Sequence, residues 1–217
     1  MDKKILFIGD SWVTNFFTTN PPHEKTPIYT FWSDKGFTPY FFGNPSRDTQ
    51  TILDIWIKYI PYLTEKDLLV IFLPAFNRTR LPKNENVNLH VDKNIPIFKD
   101  HFTGTNSYNP KENFLEIWGN QYDNEYFKKK LETQELINGS DTSILNFVEI
   151  IDSLYKITPC KKIVHCWDYK KFDGDKIIYR EEMSELIGMW DTRHDGHWSD
   201  EMNMKFMEFI IKRFNND

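Results

Sequence analysis

Two cysteines are all that the sequence contains, Cys160 and Cys166, close together around a single expected strand. Extended backbone would hold them too far apart to bridge, so both are expected as reduced thiols packing like small hydrophobes, in a cytoplasmic chain. Long apolar runs are equally scarce. The run that begins at Ile5 is broken by Gly9 and Asp10, too soon for a secretory core or a membrane span, and no later segment approaches spanning length. No membrane partner is therefore expected. Excess positive charge is missing as well: the formal net charge is -5, so the chain offers no basic footprint for a phosphate backbone, and nucleic acid is not an expected partner. Paired ligand spacings such as HExxH do not occur. His165, His194, His197, Asp191 and Asp195 are the residues that could gather around a divalent ion, but without such a spacing neither a metal nor another cofactor is expected. Internal repeats are absent too.

What is present is enough for an ordered core. The 217 residues, 40% hydrophobic and 16% aromatic, suit one large domain, 1–217, rather than a disordered tail. Residues 5–8 form a continuous apolar run, as in a strand buried on both faces, and Gly9-Asp10-Ser11 breaks it. Residues 12–17 read as the first turns of a helix ended by Pro21 and Pro22, with a loop after them. A second strand over 38–42 closes at Gly43-Asn44-Pro45. Asp48 then caps a helix with Ile52, Leu53, Trp56, Ile57 and Ile60 at helical spacing, stopped by Pro61. The third buried run is 68–73, ended by Pro74, and the fourth is 163–167, preceded by Pro159.

Between the third and fourth runs lies a long insertion, about 78–113, with three prolines, many polar residues and no sustained period. Residues 114–136 and 143–157 read as helices, the second through Ile144, Phe147, Val148, Ile151, Leu154 and Tyr155. Residues 201–214 give a last amphipathic helix. Strands alternating with helices predict an α/β fold with a mostly parallel sheet covered on both faces. In such sheets ligands bind beyond the carboxyl ends of the strands. Ser11, the stretch 43–48, Asn77 and the segment after Trp167 all follow expected strands and so converge on one rim.

Chemistry points to the same rim. A serine hydroxyl becomes a useful nucleophile when a base takes its proton and a carboxylate fixes that base's tautomer. Ser11 stands at the exit of the first strand, where it could equally serve as a helix N-cap. Near the other end, 189–199 packs two histidines and two aspartates into a turn just before the last helix, a rigid support from which to project a base.

Ile5-Leu6-Phe7-Ile8-Gly9-Asp10-Ser11 resembles the first block of the SGNH (GDSL-type) hydrolase superfamily, and His197-Trp198-Ser199-Asp200-Glu201-Met202 resembles its last block. The resemblance implies a three-layer α/β/α sandwich with a flavodoxin-like sheet, Ser11 as nucleophile, His197 as base and an Asp that orients it. The middle blocks depart from the pattern: in Ser46-Arg47-Asp48-Thr49, Arg47 stands where glycine is usual, and Asn77 lacks the usual preceding glycine. Backbone amides of Ser11 and Arg47 with the Asn77 side chain would form the oxyanion hole. The family's Asp lies three residues before the histidine, a position held here by His194. Asp195-Gly196-His197-Trp198 instead resembles the DxHW turn of SGNH-like polysaccharide O-acetyltransferases, which makes Asp195 the expected partner of His197. Asp191 with His194 is the alternative pair.

The expected function is hydrolysis of a small ester, such as an acetyl ester of a carbohydrate or other small molecule, through an acyl-serine. Acyl transfer to a glycan and a catalytically inactive binding module are the alternatives. The long insertion roots beside Asn77, so it is expected to cap the site with Phe98, Phe102 and Tyr108.

Overall fold

Ile5, Leu6, Phe7 and Ile8 are all fully buried, because their strand, β1 (Lys3–Gly9), is covered on both faces. Leu6 and Ile8 pack into one apolar cluster and Ile5 and Phe7 into another, following the alternation of a strand. The computed structural model describes residues 3–14, 26–43, 48–76, 80–82, 114–116, 140–168, 170, 176–193 and 197–216. Within these, β1 pairs in parallel with β2 (Phe37–Gly43) and β3 (Leu68–Leu73), β3 with β6 (Lys161–Cys166), and β6 with the short edge strand β7 (Ile177–Ile178). The sheet order is β2-β1-β3-β6-β7, the doubly wound α/β arrangement in which the connections diverge on either side of β1.

Helices cover both faces. On one lie α3 (Thr49–Tyr59) and α4 (Asp141–Ile157), whose Ile52, Leu53, Trp56, Ile144, Val148 and Ile151 meet Leu6, Ile8, Leu69 and Ile71. The other face carries α1 (Ser11–Thr14), α2 (Pro27–Ser33), α5 (Arg180–Ile187) and α6 (Asp200–Asn216), around Trp32, Phe206 and Trp198. No helix among the described residues is long and apolar enough to cross a membrane.

Local chemistry sets the ends of these elements. The Asp48 carboxylate accepts the Thr51 N–H at 2.6 Å and so caps α3, as its position predicts. Pro61 ends α3 through a 3-10 turn at Ile60–Tyr62, and Ile57 is 49% exposed although it keeps helical spacing, because the apolar stripe is narrower than the periodicity implies. At the end of α4 the Lys162 ammonium donates to the carbonyls of Tyr155 and Thr158, at 2.8 and 2.6 Å. The Trp56 indole donates to the Thr158 hydroxyl at 2.9 Å, tying α3 to that same end.

Three expectations need correction. Residues 114–116, read as the start of a helix, form β5 (Phe114–Glu116), antiparallel to β4 (Arg80–Pro82) inside the stretch read as a long insertion without sustained period. Non-local strand pairing overrides helical spacing there. The stretch after Pro22, read as loop, contains α2, where Thr26 caps and Pro27 takes the first turn. Neither β7 nor α5 was expected; one is two residues long and the other buries only Met183. Phe98, Phe102 and Tyr108 lie outside the described residues.

Candidate active site

The approach to Ser11 begins with a close packing. Gly9 lies against Phe72 and Val13 with no room for a side chain, which lets the end of β1 pass tightly between β3 and α1. Asp10 is fully buried and its carboxylate accepts the Trp12 N–H at 3.0 Å, so it turns the chain into α1 and leaves Ser11 at the edge, half-buried. Asp10, rather than Ser11, thus takes the capping role. Ser11 stands at the carboxyl end of β1, beside the point where the connections from β1 and β3 part in opposite directions, the crevice in which open α/β sheets bind ligands.

His197 arrives from a small hairpin. The Ser199 N–H donates to the Asp191 carbonyl at 3.2 Å and the Arg193 N–H to the His197 carbonyl at 2.7 Å, with Thr192 bridged to Trp198. The buried Trp198 anchors this hairpin in the core, and the Ser199 hydroxyl accepts the Met202 N–H to start α6. His197 Nε2 lies 2.8 Å from Ser11 Oγ, although the two residues are 186 apart in sequence. At that distance Nε2 can accept the hydroxyl proton, which is the geometry of an activated serine.

Of the expected site residues, then, the fold brings Ser11 and His197 together. Asp195 and His194 lie outside the described residues, as do Arg47 and Asn77. Asp191, half of the alternative pair, uses its carbonyl to close the hairpin while its side chain is exposed. His165 stands behind Trp198 rather than in the site: it is fully buried, its Nδ1 is 2.8 Å from the Ile178 carbonyl, and its ring stacks on Trp198 at 5.4 Å. Burial pushes its pKa down to about 4, against a smaller upward pull from the Ile178 carbonyl, so it is neutral near pH 7. Among the described residues no three His, Cys, Asp or Glu side chains stand together as metal ligands. Both cysteines are buried thiols; Cys166 donates to the Pro74 carbonyl, and burial pushes Cys160 up to about 12, which makes it a poor nucleophile.

A wall of aromatic rings, which composition alone does not locate, stands beside the dyad. Trp12 packs edge-on to His197 at 5.5 Å and to Trp198 at 5.0 Å, and it meets Trp167 and Trp190 at 6.4 Å each. Trp167 and Trp190 are half-buried. The position of Trp12 next to Ser11, and of Trp198 next to His197, was the available signal. No protein-family model matches the chain, and no curated protein matches it either.

Proposed function

We propose that this protein is a serine esterase of the SGNH hydrolase kind, which cleaves a small ester, such as an acetyl ester of a carbohydrate, through an acyl-Ser11 intermediate. The observation that carries the reading is the 2.8 Å contact between Ser11 Oγ and His197 Nε2 at the carboxyl edge of a parallel sheet. In the first half-reaction Ser11 Oγ attacks the ester carbonyl while its proton passes to Nε2. Collapse of the tetrahedral intermediate breaks the bond to the alcohol oxygen, which takes that proton from His197. Water then gives a proton to His197 and attacks the acyl carbon, and departure of the acid returns the proton to Ser11. The Ser11 N–H at the start of α1, the Arg47 N–H and the Asn77 amide are the proposed donors to the oxyanion, each worth about 3–4 kcal/mol of barrier. Asp195 is the proposed carboxylate on His197 Nδ1.

Transfer of the acyl group to a glycan hydroxyl is a second reading, favoured by one observation: half-buried Trp167 and Trp190 flank Trp12, and indole faces there suit an acceptor sugar while limiting water. Labelling with a fluorophosphonate probe tests the common step. The expected result is modification of Ser11, lost in Ser11→Ala; folded wild-type protein that takes no label would leave the chain as a non-catalytic binding module. Product analysis with and without a glycan acceptor then separates transfer from hydrolysis.

A further inference from the structure

A cation stands over this aromatic wall where helix physics does not ask for one. Arg180 is the first residue of α5, a position at which the macrodipole favours acidic side chains such as the neighbouring Glu181 and Glu182. Its guanidinium carbon lies 4.8 Å from the centre of the Trp190 ring. Trp190 meets Trp12, and Trp12 meets His197, so an unbroken run of ring contacts joins the guanidinium to the base. Because α5 follows β7 after a single residue, Arg180 belongs to the same carboxyl edge as Ser11. Three strand spacings separate β1 from β7, about 14 Å at the backbone, and the arginine side chain reaches back across part of that gap. The Arg180 N–H, 3.4 Å from the Asp168 carbonyl, ties the helix start to the exit of β6.

Arginine is also distributed unevenly along the chain. Of the 27 basic residues only six are arginine; Arg47, Arg78 and Arg180 follow the ends of β2, β3 and β7, Arg80 begins β4, and Arg193 lies in the hairpin that carries His197. Lysine shows no such bias. The two cations differ in what they recognise: the planar guanidinium fork matches a carboxylate or phosphate with two parallel hydrogen bonds, and stacking on an indole fixes the plane of that fork in advance. In a chain with net charge -5, such a local cation offsets the unfavourable long-range field that an anionic ligand meets.

We propose that Arg180, clamped on Trp190, is the specificity-determining residue for an anionic group, carboxylate or phosphate, carried by the ester substrate at a distance from the scissile bond. The esterase reading locates the scissile bond at Ser11; the anion site itself stands on the Arg180 and Trp190 geometry.

Matched esters test the proposal: 4-acetoxycinnamate against its amide, and O-acetylated digalacturonate against its methyl ester, which carry the charge at two reaches. Wild-type kcat/KM should favour the charged member of at least one pair by about tenfold or more, the size expected of a charge-assisted hydrogen bond. Arg180→Gln should bring that ratio close to one, and Arg180→Lys, which keeps the charge without the fork, should fall between. A ratio near one in the wild type for both pairs, or a ratio that Arg180→Gln leaves intact, overturns the proposal. Calorimetric titration with 4-hydroxycinnamate and with inorganic phosphate separates this from failure of the esterase reading. If no ester turns over but either probe binds wild-type protein and binds Arg180→Gln about tenfold more weakly, the anion site stands and the esterase reading falls. If no ester turns over and both proteins bind both probes equally, or neither binds them, both readings fall. Preference confined to phosphate in the titration assigns the natural anion to a phosphoryl group, and preference confined to 4-hydroxycinnamate assigns it to a carboxylate.

Discussion

Gly9 packs so tightly against Phe72 that a Cβ on the glycine would stand 2.7 Å from the Phe72 Cβ, and equally close to Val13 Cγ2. The Phe72 Cβ belongs to the neighbouring strand and cannot swing away, so relief requires β1 and β3 to part or α1 to shift. Gly9→Ala should therefore cost about 1–3 kcal/mol, as overpacking does. Because Ser11 is two residues on, its labelling by a fluorophosphonate should also slow. Urea denaturation and labelling kinetics check both, and an alanine variant unchanged in either would show that the end of β1 has slack that the geometry denies.

His165 makes stability depend on pH in a definite window. Its folded pKa of about 4 lies below the ordinary histidine value of 6.5, so below pH 6.5 the unfolded chain takes up a proton that the folded chain refuses. Stability attributable to this residue is therefore full above pH 6.5 and declines as pH falls towards 4, by about 3 kcal/mol in all. His165→Asn keeps a donor near the Ile178 carbonyl but does not titrate. Its absolute stability should be lower at pH 7, while the difference from wild type should shrink between pH 6.5 and 4. A constant difference would show that His165 is protonated in the fold.

Elements whose signal is carried by burial were legible in the sequence. The strands β1, β3 and β6 appear as apolar runs, and α3, α4 and α6 as periodic stripes, because each packs against the sheet over several residues. Elements fixed by a few contacts were not. The Gly188 that ends α5 at φ 76 was a readable stop signal, but α5 buries only Met183 and offers no stripe to pair with it. For α2, Thr26-Pro27 is a cap followed by proline at the first turn, obscured by Pro21 and Pro22 just upstream. The pairing of Ser11 with His197 came only from the resemblance of the two flanking blocks to the SGNH pattern. Both residues were legible as candidates because one leaves a strand and the other precedes a helix, positions that a doubly wound sheet sends to one edge. Arg180 and the tryptophan wall were not, since which indoles meet depends on the hairpin that folds Trp190 and Trp198 together.

Asp67 joins the starts of β1 and β3. Its carboxylate accepts N–H groups from Lys4 and Thr64 at 2.8 Å each and the Thr64 hydroxyl at 2.9 Å, and it pairs with the Lys4 ammonium at 3.1 Å. Burial alone would raise its pKa, but these donors together outweigh burial and hold it below the ordinary 3.8. The stability it contributes is thus present above pH 3.8 and lost as pH falls through the lower folded value. Asp67→Asn should cost about 2 kcal/mol near pH 7, in the range for hydrogen bonds to a charged group, and progressively less in acid. Guanidinium titrations at pH 7 and pH 3 would expose a wrong sign as a penalty that grows in acid.

His197 and His194 separate the two candidate bases by function. His197 has its Nε2 within 2.8 Å of Ser11 Oγ, held there by a hairpin whose closing bonds use the main chain of Asp191, Arg193, His197 and Ser199. His197→Ala should therefore lower kcat on an activated acetyl ester about a thousandfold or more, near the loss from Ser11→Ala, and the double variant should lose little beyond either single one, because residues that act as a unit are not additive. His194→Ala should stay within a few-fold of wild type. The carboxylates sort in the same way. Asp191 gives the hairpin its carbonyl and leaves its side chain exposed, so Asp191→Asn keeps the main-chain bond and should change kcat little. Asp195→Asn replaces the proposed partner of His197 Nδ1 and should cost about a hundredfold or more by favouring the wrong tautomer. Circular dichroism on each variant separates these losses from unfolding. Should Asp191→Asn and His194→Ala prove the damaging pair in folded protein, the Ser11 to His197 contact would be a structural bond and the base would lie elsewhere in the turn.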